Sequence, residues 1–365
     1  MTSMLTVLEN AAGVDANGYP LSAAADAKVT EARADALEAR VKARLFSPLA
    51  KFAKPEPVFH VNGIAISTAG NLTAISAAVK TGKSAFVSAM IASTMADPEA
   101  RRDLLGVTSS NPNGYAVLHI DTEQSLYDHH ELCMRTIARA GLTEPPAWFR
   151  SCCLTGFHIA ELGSALPMLL ESAKADFGAI HSVFIDGVGD LVQDVNDAAE
   201  SNAFIAELHS LAIQQACPVL AIIHVNPNGE KTRGHLGSQL ERKAETNLRL
   251  EKDGDITVVW SDKNRRAPIP KNKGPRFEWS DKHGMHVSTE SGGSARAAAK
   301  KAKHRSVAES IFLKAGRESL PWGEFLDRLK DLLRISSSGA RKRQEAMSDA
   351  GVIEKDVTGE WRLTK

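Results

Sequence analysis

Cysteine is scarce. The chain has four in 365 residues, Cys133, Cys152, Cys153 and Cys217. They form no CxxC pair and no Cys/His spacing of the zinc-finger kind. A disulfide framework and a zinc module are therefore not expected, and free, mostly buried thiols in a reducing compartment are. Long apolar runs are also lacking: none approaches the ~20 residues a helix needs to cross a bilayer. The opening MTSMLTVLENAAG has neither the basic segment nor the apolar core of an export signal. A cytoplasmic protein without a membrane partner is the expectation. Net charge is lacking too, with 44 Lys and Arg against 44 Asp and Glu. The balance is uneven, however. Basic residues outnumber acidic ones from Ser291 onward, a bias that suits contact with phosphates.

Hydrophobic residues at 43% and charged residues at 24% fit a folded globular chain. Residues 1–22 read as a leader. Residues 23–46 read as a helix, with Val29, Leu37, Val41 and Leu45 at helical spacing. That stripe is expected to pack on the chain's own core, with docking on a neighbouring subunit as the alternative. Pro48, Pro55 and Pro57 mark a connector, so the first unit spans 1–54. Over 55–290 the apolar runs Leu72–Ser76, Tyr115–Ile120, Ser182–Ile185 and Val219–Ile223 alternate with helical stretches near 83–96, 127–140, 159–175 and 197–215. Unpatterned apolar strands between helices predict an α/β domain with a mainly parallel sheet covered on both faces. Thr246 to Trp260 reads as a hairpin at the sheet edge, turning at Asp253-Gly254. Residues 291–304, SGGSARAAAKKAKH, read as a linker. Residues 305–365 have the pattern of a small winged helix-turn-helix. One helical face is Val307, Ile311, Phe312 and Ala315, and a second is Trp322, Phe325, Leu326, Leu329 and Leu333. A third helix capped by Ser336 ends at Gly351, and a wing turns at Thr358-Gly359-Glu360.

The densest chemistry lies in Ala77-Ala78-Val79-Lys80-Thr81-Gly82-Lys83-Ser84, between a strand and a helix that begins near Ala85. The phosphate-cradling loop has the pattern G-x-x-x-x-G-K-[ST], and this stretch matches it except for Ala77 in the first position. Backbone N–H groups from Ala78 through Ala85 would surround phosphate oxygens at a helix N-terminus. Gly82 permits close approach, Lys83 supplies a cation, and the Ser84 hydroxyl ligates Mg²⁺. Ala77 is harmless if extended and strained if the position requires positive φ. Val183-Phe184-Ile185-Asp186-Gly187 is an apolar strand ending in a carboxylate, the Walker B pattern, in which Asp186 would hold Mg²⁺ through its water shell. Another strand ends at Asp121-Thr122-Glu123-Gln124-Ser125. There Glu123 could take a proton from an attacking water and Asp121 could support the metal, or either carboxylate could cap the next helix.

These three segments together resemble the RecA/DnaB-like P-loop ATPases, in particular the RepA-like helicase group of plasmids and other mobile elements. The resemblance covers about residues 55–285, and Asp190-Leu191-Val192 and Asn196-Asp197 fit it as well. It implies ATP and Mg²⁺ as ligands, Glu123 as general base, and Lys83, Ser84 and Asp186 on the nucleotide and metal. It implies that His224, ending the strand Val219–Ile223, senses the γ-phosphate and moves the loop Asn226–Gln239. In ring helicases that loop grips single-stranded DNA. Here it contains Lys231, Arg233, His235 and Ser238, and its cations and Gly-rich backbone suit phosphates. Lys263-Asn264-Arg265, following the strand Ile256–Trp260, resembles the Lys-x-Arg pair that reaches the γ-phosphate of a neighbouring subunit, with Arg266 as a substitute for Arg265. Such a pair implies self-association into a ring, a hexamer in the family, because hydrolysis needs the neighbour's cation. Arg341, Lys342 and Arg343 lie where a recognition helix would enter a groove, although such modules also bind proteins. The expected function is an oligomeric DNA-translocating ATPase, a replicative helicase of a mobile element. The alternative is an ATP-switched DNA-binding regulator of replication or transcription that does not unwind DNA.

Overall fold

The computed structural model describes residues 23–100, 102–226, 232–289, 294–356 and 358–364. The expected leader and Lys231 lie outside the described residues. Helix α1 (Ala23–Lys42) is rich in Ala, Glu, Arg and Lys, all strong helix formers. Contrary to expectation, the part of its stripe from Leu37 onward does not pack on the described residues. Leu37, Val41 and Leu45 are each more than half exposed, and so are Phe46, Leu49 and Phe52 beyond the helix. Every residue from 33 to 56 is exposed, so among the described residues nothing covers Leu37, Val41 or Leu45.

The connector ends sooner than the prolines suggest. Pro57 opens strand β1 (Pro57–Val61), which pairs antiparallel with β2 (Ile64–Thr68). Proline is tolerated as a first strand residue, where no ladder donor is needed. Strand β3 (Leu72–Ala77), helix α2 (Lys83–Met95) and the short β4 (Val107–Thr108) follow, and β4 pairs with β1 in a separate three-stranded sheet. Then come β5 (Ala116–Asp121), α3 (Leu126–Ala140), β6 (Phe149–Cys153), α4 (Ile159–Phe177), β7 (Ile180–Asp186), α5 (Ala198–Gln215) and β8 (Val219–His224). The last parts of this region are α6 (Gly234–Lys243), β9 (Thr246–Asp253), β10 (Ile256–Asn264), β11 (Arg276–Ser280) and β12 (Met285–Ser288).

The central sheet runs β12-β11-β10-β9-β3-β8-β7-β5-β6. Strands β9, β3, β8, β7, β5 and β6 are parallel neighbours, and β10, β11 and β12 extend the sheet antiparallel. The hairpin that turns at Asp253-Gly254 is therefore interior, not at the edge, because the unforeseen β11 and β12 pair outside it. Helices cover both faces. Leu166 and Leu170 of α4, Ile205 and Leu208 of α5, and Leu236 and Leu240 of α6 join one apolar cluster. Phe86, Met90 and Ile91 of α2, with Phe59 and Ile66 from the small sheet, join the other. The fold is thus mixed α/β around a mostly parallel sheet.

Residues 294–304 are helical, not a linker. They begin α7 (Ser294–Ala315), as their Ala, Lys and Arg content favours. Strand β13 (Ser319–Leu320), α8 (Trp322–Leu333), α9 (Ser337–Asp349), β14 (Ile353–Lys355) and β15 (Trp361–Leu363) complete the chain. Ser336 caps α9 by accepting the Gly339 N–H. Ile311, Phe325, Leu329, Met347 and Ile353 form a third apolar cluster, distinct from the two around the central sheet. Among the described residues, no helix is long and apolar enough to cross a membrane.

Strand register fixes where the polar residues emerge. Ala77 pairs with His224, and Asp121 pairs with Asp186, so four strand ends meet at one sheet edge. Asn264 pairs with Thr246, which in turn pairs with Thr73 near the start of β3. Lys263 and Arg265 therefore lie at the opposite edge. Lys263 and Asn264 are also inside β10, not beyond it, because β9 pairs along its whole length past a bulge at Ser261/Lys263. Lys263 Nζ donates to the C=O groups of Glu241, Arg242 and Ala244 at 3.0, 3.0 and 2.7 Å, closing the C-terminal end of α6. These carbonyls have no intrahelical partners, and a cation there also meets the negative end of the helix dipole. Lys263→Met should lower the stability of the isolated chain by about 1–2 kcal/mol, read by urea unfolding. An unchanged midpoint would show that the cap contributes nothing.

Candidate functional site

The loop between β3 and α2 holds the first side chains of the site. Ala77 belongs to the extended β3, so alanine costs nothing in the position where the motif has glycine. The turn is carried instead by Lys80 at φ +62° and Gly82 at φ +80°. Gly82 is the residue before α2, and no side chain caps that helix. The N–H groups of its first turn therefore remain open to an anion. Thr81 is buried, and its C=O accepts the Thr257 hydroxyl at 2.7 Å, tying the loop to β10. Val79 is mostly exposed, while Ala78, Lys80, Thr81, Gly82, Lys83, Ser84 and Ala85 line a cleft of about 300 Å³.

Lys83 is buried at the centre. Its Nζ lies 3.1 Å from Glu123 Oε2, 3.3 Å from Asp186 Oδ1 and 3.2 Å from His224 Nε2. His224 Nε2 is also 3.1 Å from Glu123 Oε1. One imidazole nitrogen cannot both accept from Lys83 and donate to Glu123, so the His224 proton selects between two arrangements. Asp186 is 1% exposed, and its Oδ1 has the Lys83 charge nearby but no hydrogen bond. Burial pushes the Asp186 carboxyl above its ordinary range, against the opposing pull of Lys83. Burial would raise Glu123 as well, but the His224 hydrogen bond and the Lys83 charge outweigh it and hold Glu123 below its ordinary value. Two carboxylates, one histidine, and a lysine at an open helix N-terminus thus converge from four segments far apart in sequence. Such a donor set fits a phosphate chain with a divalent cation: the amides and Lys83 face oxygens, and the unpaired Asp186 Oδ1 and the Ser84 hydroxyl suit the cation.

Asp121 does not join the metal-facing group. Its Oδ1 accepts the N–H groups of Glu123 and Gln124 at 3.0 and 3.1 Å. Its Oδ2 accepts Gln124 Nε2 at 2.7 Å and faces His129 Nδ1 at 3.1 Å. With its lone pairs committed, Asp121 shapes the turn that presents Glu123. Thr122 adds a second tie, its hydroxyl donating to Asp190 Oδ2 at 2.8 Å.

The segment Asn226–Gln239 is not a loop throughout. Gly234–Lys243 is α6, because Leu236 and Leu240 bury one helical face. His235 and Ser238 are therefore exposed helix residues, and Arg233 is the exposed residue just before α6. The Arg233 N–H donates to the His224 C=O at 3.1 Å, and Val225 bridges Thr232, so the residue that opens onto α6 is anchored directly on His224; residues 227–231 lie outside the described residues. Arg265 is exposed at the far sheet edge, and Arg266 lies 3.9 Å from Glu245. On α9, Arg341 and Lys342 are exposed and Arg343 is half-buried. The Arg341 guanidinium lies 5.4 Å from the Trp322 ring centre.

Arg135 of α3, Trp279 of β11 and His286 of β12 also line the cleft, and sequence reasoning missed them. They belong to no motif: Arg135 lies in an expected helix with nothing to mark it as facing a cleft, and Trp279 and His286 lie where the sequence suggests no strand. Arg139 holds that wall in place, donating to the C=O groups of Asp103 and His286 at 2.8 and 2.7 Å. The expected burial of the thiols holds only for Cys217, since the other three are half-buried. No protein-family model and no curated protein sequence matches this chain.

Gly82→Ala should cost about 1–2 kcal/mol for the left-handed backbone. Its Cβ would also meet Phe277 Cε2 at 2.9 Å, so thermal denaturation should show a clear drop. A variant that melts like the native chain would contradict this geometry. Burial opposes ionisation of Asp121, but hydrogen bonds from His129 and from the Gln124 and Glu123 amides hold its carboxyl below 3.8. A depressed folded-state value stabilises fully above the unfolded value and fades as pH falls through the folded one. Asp121→Asn should therefore be less stable at neutral pH, and the gap should narrow in acid, as read by urea unfolding across pH.

Proposed function

We propose that the chain is an ATP-hydrolysing P-loop ATPase of RecA-like fold that works as an oligomer on single-stranded DNA, a RepA/DnaB-like helicase. The observation that carries this reading is the contact of Lys83 with both Glu123 and Asp186 beneath an uncapped helix N-terminus. Bound ATP with Mg²⁺ supplies the phosphoryl group and the neutralising charge. Lys83 then exchanges its carboxylate partners for phosphate oxygens. Freed of that cation, Glu123 becomes a stronger base and can orient and deprotonate water. His224 follows the change, because it contacts both Lys83 and Glu123, and its carbonyl holds the Arg233 amide. The state of the phosphates thereby reaches the loop before α6, where Arg233 offers charge to a nucleic-acid backbone.

Two features support assembly. Arg265 stands at the sheet edge opposite the chain's own Lys83, so it can meet a triphosphate only on another copy. The apolar segment from Leu37 to Phe52 is exposed on a single chain, as a surface covered by a neighbour would be. Lys263, occupied in capping α6, is a positioning residue for Arg265 in this reading. The C-terminal helices with their small antiparallel sheet support the winged-helix reading, and Arg341 and Lys342 on α9 suit a DNA groove.

Lys83→Ala should abolish ATP hydrolysis. Arg265→Ala should reduce turnover about 10³-fold or more while leaving nucleotide affinity near native, measured by steady-state hydrolysis and calorimetry. Hydrolysis should rise with protein concentration and with added single-stranded DNA, and a forked duplex should be unwound. ATP-dependent DNA binding without unwinding would favour the regulator instead. No heat on titrating magnesium-ATP would remove both readings.

A further inference from the structure

Behind the turn that presents Glu123 lies a second polar cluster with no part in phosphate chemistry. His119 points from β5, Ser151 from the facing position of β6, and His129 and Cys133 from successive turns of one face of α3. One nitrogen of each histidine and Cys133 Sγ lie within 4.8 Å of one another. Cys133 Sγ is 3.6 Å from His129 Nε2, the edge length expected between sulfur and nitrogen ligands of one tetrahedral metal. Ser151 Oγ sits 2.8 Å from His119 Nδ1, 3.0 Å from His129 Nε2 and 3.2 Å from Cys133 Sγ. His119 and His129 are buried, and Cys133 is half-buried.

Hydrogen bonding alone leaves this cluster one partner short. His129 Nδ1 faces Asp121 Oδ2 at 3.1 Å, which assigns a proton to Nδ1 and turns Nε2 toward Cys133 and Ser151. That is the carboxylate–histidine arrangement that orients metal-binding imidazoles. Ser151 has a single hydroxyl proton to share among three neighbours. His119 Nε2, on a ring only 1% exposed, has no hydrogen-bond partner among the described residues. His129 and Cys133 stand one helical turn apart, but His119 lies ten positions earlier on a strand, so no second ligand pair of the zinc-finger kind marks the site in the chain.

We infer that His119, His129 and Cys133 form a binding site for one Zn²⁺ ion, with Ser151 Oγ or a water as the fourth ligand and Asp121 orienting His129. Two imidazoles and a thiolate are the donor set that borderline-soft Zn²⁺ selects over Mg²⁺. The His119 and His129 rings are nearly parallel with centres 5.5 Å apart, so ligation turns the His119 ring about its side-chain bonds and gives its orphaned nitrogen a partner. Binding displaces any proton on Cys133 Sγ and on His129 Nε2 into solvent. The ion would clamp α3 to β5 and β6 and, through Asp121, stiffen the turn carrying Glu123. That link to Glu123 rests on the nucleotide reading, whereas the metal site does not.

The test uses the full chain, stripped of metal with a chelator and titrated with Co²⁺ and with Zn²⁺ in the absence of nucleotide. One equivalent of Co²⁺ should give a thiolate-to-metal charge-transfer band and tetrahedral d–d absorption, and one equivalent of Zn²⁺ should erase both. Zinc should also slow alkylation of Cys133 by iodoacetamide. Cys133→Ser, nearly isosteric, should remove the charge-transfer band. It should also weaken Zn²⁺ binding beyond the about 10–100-fold typical of losing an orienting partner. Cobalt absorption without a charge-transfer band, or Zn²⁺ affinity unchanged in Cys133→Ser, would overturn the site. The phosphate loop offers no thiolate, so metal bound there cannot produce the positive result, and loss of ATPase activity cannot produce the negative one.

Discussion

The buried charge of Lys83 is the constraint around which the sheet edge is organised. An ammonium group at 6% exposure is tolerable only beside opposite charge, and here that charge comes from two different strand ends. Glu123 follows β5 and Asp186 closes β7, so the pairing requires β5, β7 and β3 to finish in register. The apolar interiors of those strands, fully buried on both faces, supply the rigidity that holds the ends in place. Core and site are therefore one structure: any slip of β5 against β7 would separate Glu123 from Asp186 and leave the lysine charge uncompensated.

Much of this was legible in the sequence. The four main helices begin and end within a few residues of their expected positions, and α3 and α4 close on glycines of positive φ, Gly141 and Gly178. The convergence of Lys83, Glu123 and Asp186 could be inferred because each ends or follows an unpatterned apolar run, and such runs lie side by side in parallel sheets. Ala77 looked like a defect in the loop motif and proves to be an ordinary strand residue. What could not be read were contacts set by register and by side-chain direction. Asp121 and Glu123 are two residues apart with the same chemistry, yet one is consumed by its own turn and the other faces the cleft. Gly234 and Gly237 suggested a loop, but burial of Leu236 and Leu240 outweighed their poor helix propensity. Trp279 and His286 reached the cleft through a pair of strands too short and polar to register as periodic.

Asp121 connects two otherwise separate networks. On one side it fixes the amides leading to Glu123, and on the other it fixes the ring of His129, which faces Cys133 and Ser151. A single buried carboxylate thus sets the geometry of a turn at the sheet edge and the orientation of a histidine ring on the neighbouring helix. A change at Asp121 therefore reaches both the turn before α3 and the His129 ring through direct hydrogen bonds.

The direction of β10 has a consequence for symmetry. Since Arg265 and Lys83 emerge from opposite margins of one sheet, a contact between the first residue on one copy and the second on the next joins unlike surfaces. Made in one direction only, such a contact closes into a ring by rotation or continues as a helical filament; made reciprocally, it gives a two-fold dimer in which the strands of the two copies run antiparallel.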